Sequence, residues 1–475
     1  MRRNRIAIVG GGCAGTVAAW ALREAHDVTL FESGAALGGH AHSERVMVGD
    51  REVNVDMGVE YFTERLSPNL CEILRRFGIE TFLAPLSFRA EFPGVDLTWS
   101  NLDGRGGLRA RLNMEMDRFQ HDMIRVLASG DPSLKRMSID DYLAAKGYSD
   151  DLRQLAIVPL MSTFSGCEAP SLQYSLMYLA LSINMHLLSF FSPGLWRKAR
   201  GGIGGYLAAI GQELGARVRL SSPVKSVRHS RRGGLDIVDA TGRTESFDTV
   251  IFATHADVTL AMIEAPSAEQ RRLLGGFEYV PIRSVLHRDS SLIGDIGAHS
   301  EYCEFRGCDD IRACGAERIR GDLTRITNRL VEYRELQLPL LVTFDPRREP
   351  RAATILAEKC WKLPKLRPAD LFRKTQLRRI QGVGNCWYCG TDTSFTGHEG
   401  ALVSGLVIAN RLGAPYPFPD NTLAKVQFNL VRSLMGVTAW TDQVPSMLGD
   451  AAFSLLRRTR LYQAGMHRVI GEILM

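Results

Sequence analysis

Residues 5–32 read RIAIVGGGCAGTVAAWALREAHDVTLFE. A short run rich in β-branched residues over 5–9 leads straight into glycines, and residues of helical composition follow from Thr16. Gly10, Gly12 and Gly15 therefore stand between a strand and a helix, the context in which a Gly-x-Gly-x-x-Gly spacing carries meaning. The first glycine permits a tight turn, the second lets the backbone approach a pyrophosphate, and the third lets the helix pack against the strand. The helix N-terminus adds the positive end of its dipole. A second strand over 27–31 ends in Glu32, whose carboxylate can accept hydrogen bonds from a ribose 2′-hydroxyl and would repel a 2′-phosphate. The stretch predicts a Rossmann-like dinucleotide-binding unit in an α/β fold.

The next residues separate the two common dinucleotides. After Glu32 the chain runs SGAALGGHAHS instead of entering a crossover helix. Gly38 and Gly39, just past the second strand, let the backbone lie against the ribose-pyrophosphate a second time. Extended FAD needs that extra wrapping, whereas NAD generally does not. His40-x-His42 also has the look of a metal pair, but the sequence designates no further ligands. No metal is expected.

Residues 6–43 resemble the N-terminal FAD-binding unit of the flavin-containing amine oxidase superfamily, closest to a bacterial amine-oxidase-like branch. Most of the superfamily carries arginine after the paired glycines, and that branch carries histidine, as His40 is here. Asp56 and Gly58 match its Asp-x-Gly. Far along the chain, Cys386–Gly390 reads as a strand ending in glycine, and His398-Glu399-Gly400-Ala401 opens a helix running to about Leu412. The resemblance implies that Gly390, Gly400 and Ala401 form the unit that aims a helix N-terminus at the flavin. It places the family's usual acidic residue loosely on Asp392 and adenine contacts at the backbone of Val224. Amine oxidases of this kind often hold a water with a lysine; none is assigned here, and no catalytic residue is named.

Composition excludes other classes. Of 475 residues, 45% are hydrophobic and 23% charged, with a net charge of +6. That balance is ordinary for a globular protein of two or three domains. No basic run interleaves with aromatics, so nucleic acid is not an expected partner. Nine scattered cysteines form no disulfide framework and suit a cytoplasmic enzyme. The apolar run at 6–9 is too short for a signal peptide, so no leader is expected. Residues 169–195 lack Asp, Glu, Lys and Arg. Polar interruptions and Pro193-Gly194 favour a buried helix pair lining a cavity over a membrane span.

Three smaller signals read as structure. Cys386-x-x-Cys389 suits buried core, and Cys303, Cys308 and Cys314 match no zinc spacing. His255, Asp257 and His287 read as structural hydrogen-bonding residues. Gly201-Gly202-Ile203-Gly204-Gly205 imitates a second dinucleotide loop, but no strand is expected before it, so it reads as a helix start.

The expected architecture is an FAD-binding Rossmann-like domain of the glutathione-reductase type, discontinuous over 1–80, 200–262 and 380–415. An α+β substrate domain would comprise 81–199 and 263–379, and 416–475 a helical C-terminal region. The basic cluster after Phe453 in that region could touch a membrane surface peripherally. The expected activity is FAD-dependent hydride removal from a small, largely apolar substrate. Amine oxidation with peroxide release and redox-neutral isomerisation are the alternatives.

Overall fold

The structure, a computed structural model, describes residues 3–102, 110–165, 171–182, 195–231, 233–293, 300–307, 321–394 and 397–437. Strands β1 (Arg5–Val9), β2 (Asp27–Phe31), β3 (Val218–Arg219), β4 (Thr249–Phe252) and β5 (Cys386–Tyr388) form one sheet in the order β5-β4-β1-β2-β3. All its pairings are parallel.

A parallel sheet is covered on both faces, and the alternation along β1 shows how. Ile6 and Ile8 join the core shared with helices α1 (Cys13–Leu22) and α4 (His398–Arg411). Ala7 and Val9 point the other way, into a core shared with an antiparallel sheet of Val224–His229, Leu235–Asp239 and Thr244–Phe247. Helix α5 (Thr422–Met435), capped by the Asn421 side chain, lies over α4 and adds Phe428, Val431 and Met435 to the first core.

A second, seven-stranded mixed sheet draws its strands from 88–100 and 279–364. Its longest members, Tyr279–His287 and Ile355–Pro364, pair antiparallel, and Cys303–Gly307 runs parallel to Phe88–Phe92. This sheet and the helices around it share the largest core, including Phe88, Trp99, Phe119 and Phe305.

The glycine run at 201–205 departs from expectation. A short strand, Arg197–Ala199, does precede it, but pairs antiparallel with Thr81–Leu83 outside the parallel sheet. A helix, Gly205–Leu214, follows it as expected. Of the uncharged 169–195 stretch, only 171–182 and Leu195 are described, with a helix over Leu176–Ser182. Cys308, Cys314 and the basic cluster after Phe453 lie outside the described residues. Among the described residues, no helix is long and apolar enough to cross a membrane.

Candidate functional site

The glycine turn at the carboxyl end of β1 is tightly specified. A Cβ on Gly15 would meet the Gly10 carbonyl oxygen at 2.0 Å, so only glycine lets α1 start this close to the strand. The paired glycines come to the same place. Gly38 N–H donates to the Gly11 carbonyl at 3.0 Å, and Gly12 and Gly38 form an isolated parallel bridge. Gly39, at φ +56°, lies so near Gly12 that a Cβ would sit 3.1 Å from its Cα.

Glu32 ties these turns together. Its Oε2 accepts from Gly11 N–H at 2.7 Å, and its Oε1 from Gly34 N–H at 2.6 Å and the Ser33 hydroxyl at 3.1 Å. The carboxylate therefore shapes the loop as well as offering an acceptor, a role that sequence spacing does not reveal. Ser221 and Ser222 N–H groups bond the carbonyls of Gly34 and Glu32, both at 2.8 Å, which sets Val224 two residues beyond this loop.

On the other side of β1, Gly390 follows β5, and its N–H donates to the Ser404 hydroxyl of α4 at 2.7 Å. Gly400 and Ala401 are buried in the first turn of α4. Their neighbour Glu399 turns away to helix α2 (Pro68–Arg76), accepting from the N–H groups of Asn69 and Leu70, each at 2.9 Å. Asn69 Nδ2 donates to it as well, at 2.8 Å. Burial pushes the Glu399 carboxyl up to about 7 despite these three donors.

The groups around this crevice fit an extended dinucleotide. No side chain caps α1, and its first turn holds no acidic residue, so its N-terminal amides are not taken by a capping side chain. A Cβ on Gly12 would meet nothing nearer than 4.0 Å, and one on Gly390 nothing within 4 Å, so open space adjoins both. Glu32 retains lone pairs for ribose hydroxyls.

Beside the crevice lies a charge network that sequence reading missed. Val59 N–H bonds the His40 carbonyl at 2.9 Å, and Arg325 Nη1 donates to the Gly58 carbonyl at 3.0 Å. One residue further on, buried Glu60 receives Lys198 Nζ at 2.5 Å, the Tyr302 hydroxyl at 2.7 Å and Arg325 Nε at 2.8 Å. Asp56 lies 3.4 Å from Lys198 and accepts from the Ser43 hydroxyl at 2.7 Å. Burial works against the Glu60 charge, but Arg325 and Lys198 hold its carboxyl below the usual range. The Lys198 ammonium sits over the rings of Tyr61 and Tyr302, at 5.2 Å and 5.4 Å from their centroids. Burial raises the Asp56 carboxyl, against the pull of Lys198.

The remaining candidates are placed as follows. Asp392 is buried and accepts from Ala256 N–H at 2.9 Å and the Tyr279 hydroxyl at 2.6 Å. His287 is bonded within its sheet to Thr343, Asp257 pairs with Lys362, and His42 pairs with Glu44. Cys303, Cys386 and Cys389 are buried free thiols. Among the described residues, no cluster of three His, Cys, Asp or Glu could hold a metal ion.

A family model for flavin containing amine oxidoreductases matches residues 13–288. The chain belongs to this family. It is an FAD-dependent oxidoreductase. This flavin oxidoreductase also resembles several solved structures. Cyclohexylamine oxidase from Brevibacterium oxydans IH-35A is 16% identical, with a TM-score of 0.64 over 86% of this chain and 100% of that one. Wild-type putrescine oxidase bound to putrescine is 16% identical, with a TM-score of 0.63 over 87% and 100% of the two chains. A CLA-producing fatty acid isomerase from P. acnes is 15% identical, with a TM-score of 0.63 over 86% and 99%. At such identities these likenesses establish the fold and not the substrate. No curated protein matches the sequence.

Proposed function

We propose that this flavin oxidoreductase removes hydride from a largely apolar substrate, a dehydrogenation or desaturation, rather than oxidising an amine. FAD, when bound, supplies the hydride acceptor. In this reading the N-terminal amides of α1 bind the pyrophosphate, Glu32 accepts from the adenosine ribose, Val224 borders the adenine, and Gly390, Gly400 and Ala401 bring α4 to the flavin end. The substrate then meets the flavin on the side of the seven-stranded sheet.

One observation carries the choice of substrate. Tyr61 and Tyr302 form an aromatic pair of the kind that receives a cation, and the protein's own Lys198 already occupies it. The nearby carboxylates are committed too: Glu60 to Arg325 and Lys198, Asp56 to Lys198, and Glu399 to α2. An ammonium substrate would enter a region whose cation sites are filled. A ligand without charge loses no such partner. The fatty acid isomerase among the structural neighbours is in keeping with a lipid-like ligand on this fold.

The test is anaerobic reduction of the purified holoprotein by a panel of acyl and polyene compounds and a panel of amines. Bleaching of the visible flavin absorbance by the apolar panel alone is expected. Bleaching by amines alone overturns the substrate class. Product formation without bleaching or acceptor consumption replaces hydride removal with redox-neutral isomerisation.

A further inference from the structure

A group of imidazoles remains at the carboxyl edge of the parallel sheet. His40 directly follows Gly39, the residue packed on Gly12. His255 follows the strand end of β4 and stands at the N-cap position of helix α3 (Ala256–Met262), without a side-chain capping bond. Their rings lie 5.6 Å apart, and His40 also meets Trp361 edge-on at 5.3 Å. His255 has a counter-charge, with Nδ1 3.9 Å from Asp392, and its ring lies 4.7 Å from that of Tyr279. Behind Asp392 the buried Lys374 donates to the carbonyls of Thr391 at 2.6 Å and Ser394 at 3.1 Å.

The other titratable groups around His40 are occupied. From α4, His398 shares a 2.6 Å hydrogen bond with the Tyr206 hydroxyl. Asp257 on α3 pairs with Lys362 at 2.9 Å, and Glu44 pairs with His42 at 2.8 Å and Lys359 at 3.8 Å. His40 alone in this group is left over: among the described residues, nothing hydrogen-bonds its ring. Among the described residues, an imidazole with no hydrogen bond to its ring thus stands where the two glycine turns meet.

We propose that His40 makes FAD binding proton-linked: neutral before the cofactor enters, it takes up one proton as the dinucleotide's pyrophosphate settles against the joined turns of Gly12 and Gly39. The inference rests on assigning that crevice to FAD. The energetics have a definite sign. Burial, and then the neighbouring His255, lower His40 to about 4. A nearby anion favours the charged imidazole and raises that value. Between the free and the loaded pKa, each unit of rising pH therefore weakens FAD binding tenfold, and below or above that window the dependence vanishes.

The experiment dilutes purified full-length holoprotein in steps, from about pH 5 to about pH 8, the range in which imidazoles titrate. Fluorescence of released FAD gives the dissociation constant at each pH. The expected wild-type constant rises close to tenfold per pH unit across part of this range. His40→Arg should flatten the curve at the tight, low-pH level, and His40→Asn should flatten it at the weak, high-pH level. Should the Arg variant fail to fold, the wild-type slope and the Asn variant decide the matter. A flat wild-type curve, or a slope that survives in His40→Asn, overturns the proposal. Glu32→Arg separates the two layers: if it retains FAD at the wild-type constant, the crevice assignment itself is wrong. If it releases FAD while the wild-type curve is flat, only the proton linkage fails.

Discussion

Glu399 combines two opposing influences whose balance can be measured. Its carboxylate accepts from Asn69 N–H, Asn69 Nδ2 and Leu70 N–H, and these donors favour the charged form. Burial opposes them and prevails, raising the group from 4.5 to about 7. A carboxyl with a raised pKa binds more protons in the folded state than in the unfolded one across that interval. Its contribution is therefore complete below about 4.5 and is lost as pH rises through about 7. At 1.36 kcal/mol per pKa unit the loss comes to about 3 kcal/mol. Glu399→Gln keeps an acceptor oxygen but cannot titrate. His40, His287 and His398, each lowered to about 4 chiefly by burial, give the opposite slope, but they do so in both proteins and cancel in the difference. Urea unfolding followed by tryptophan fluorescence at about pH 5 and about pH 7, which span most of that interval, should show wild type losing about 2 kcal/mol relative to the variant. A difference that stays constant within about 1 kcal/mol would refute the reasoning, because it would mean that the three donors keep Glu399 ionised at both pH values.

Two further outcomes are expected. Arg325→Met leaves Glu60 without its 2.8 Å partner in a buried site. Glu60 keeps Lys198 at 2.5 Å, so the loss should fall short of the ~3–5 kcal/mol of a fully stranded buried charge, and the fall in urea midpoint should be partly recovered by adding Glu60→Gln. Equal stability of the single variant and wild type would remove the network from the account of stability. Glu32→Arg loses the acceptor for Gly11 and Gly34 N–H groups and puts a cation where the ribose needs an acceptor. Its flavin-to-protein ratio after purification should fall at least about tenfold, and an undiminished ratio counts against Glu32 as a cofactor residue.

The parts of the fold legible in the sequence were those written in local backbone terms. The turn at Gly10–Gly15 and the unit around Gly390 and Gly400 depend on short-range sterics, so their residue types announce them. The α/β fold and the family follow from these segments. The charge network was illegible for the opposite reason. Asp56, Glu60, Lys198, Tyr302 and Arg325 come from distant stretches, and nothing near any one of them marks it as paired. Lys198 was further disguised by the glycine run that follows it, which draws attention to a helix start rather than to the short strand that carries the lysine. Asp392 was only loosely legible. It falls near the family's acidic position, and here it accepts from Ala256 N–H and the Tyr279 hydroxyl and lies 3.9 Å from His255 Nδ1.

The strand order also bears on how the chain is made. In the order β5-β4-β1-β2-β3, β1 gains its second neighbour only when residues 249–252 have been synthesised, and the sheet closes only with residues 386–388. Residues 1–50 thus carry the glycine turns and Glu32 but on their own leave one edge of β1 open, with Ile6 and Ile8 lacking much of their core. Pairings so distant in sequence form slowly, and an unpaired apolar strand edge invites association with other chains while it waits. The nucleotide signature is thus made more than two hundred residues before the strand that completes the flank of β1, and the crevice it belongs to is assembled later still.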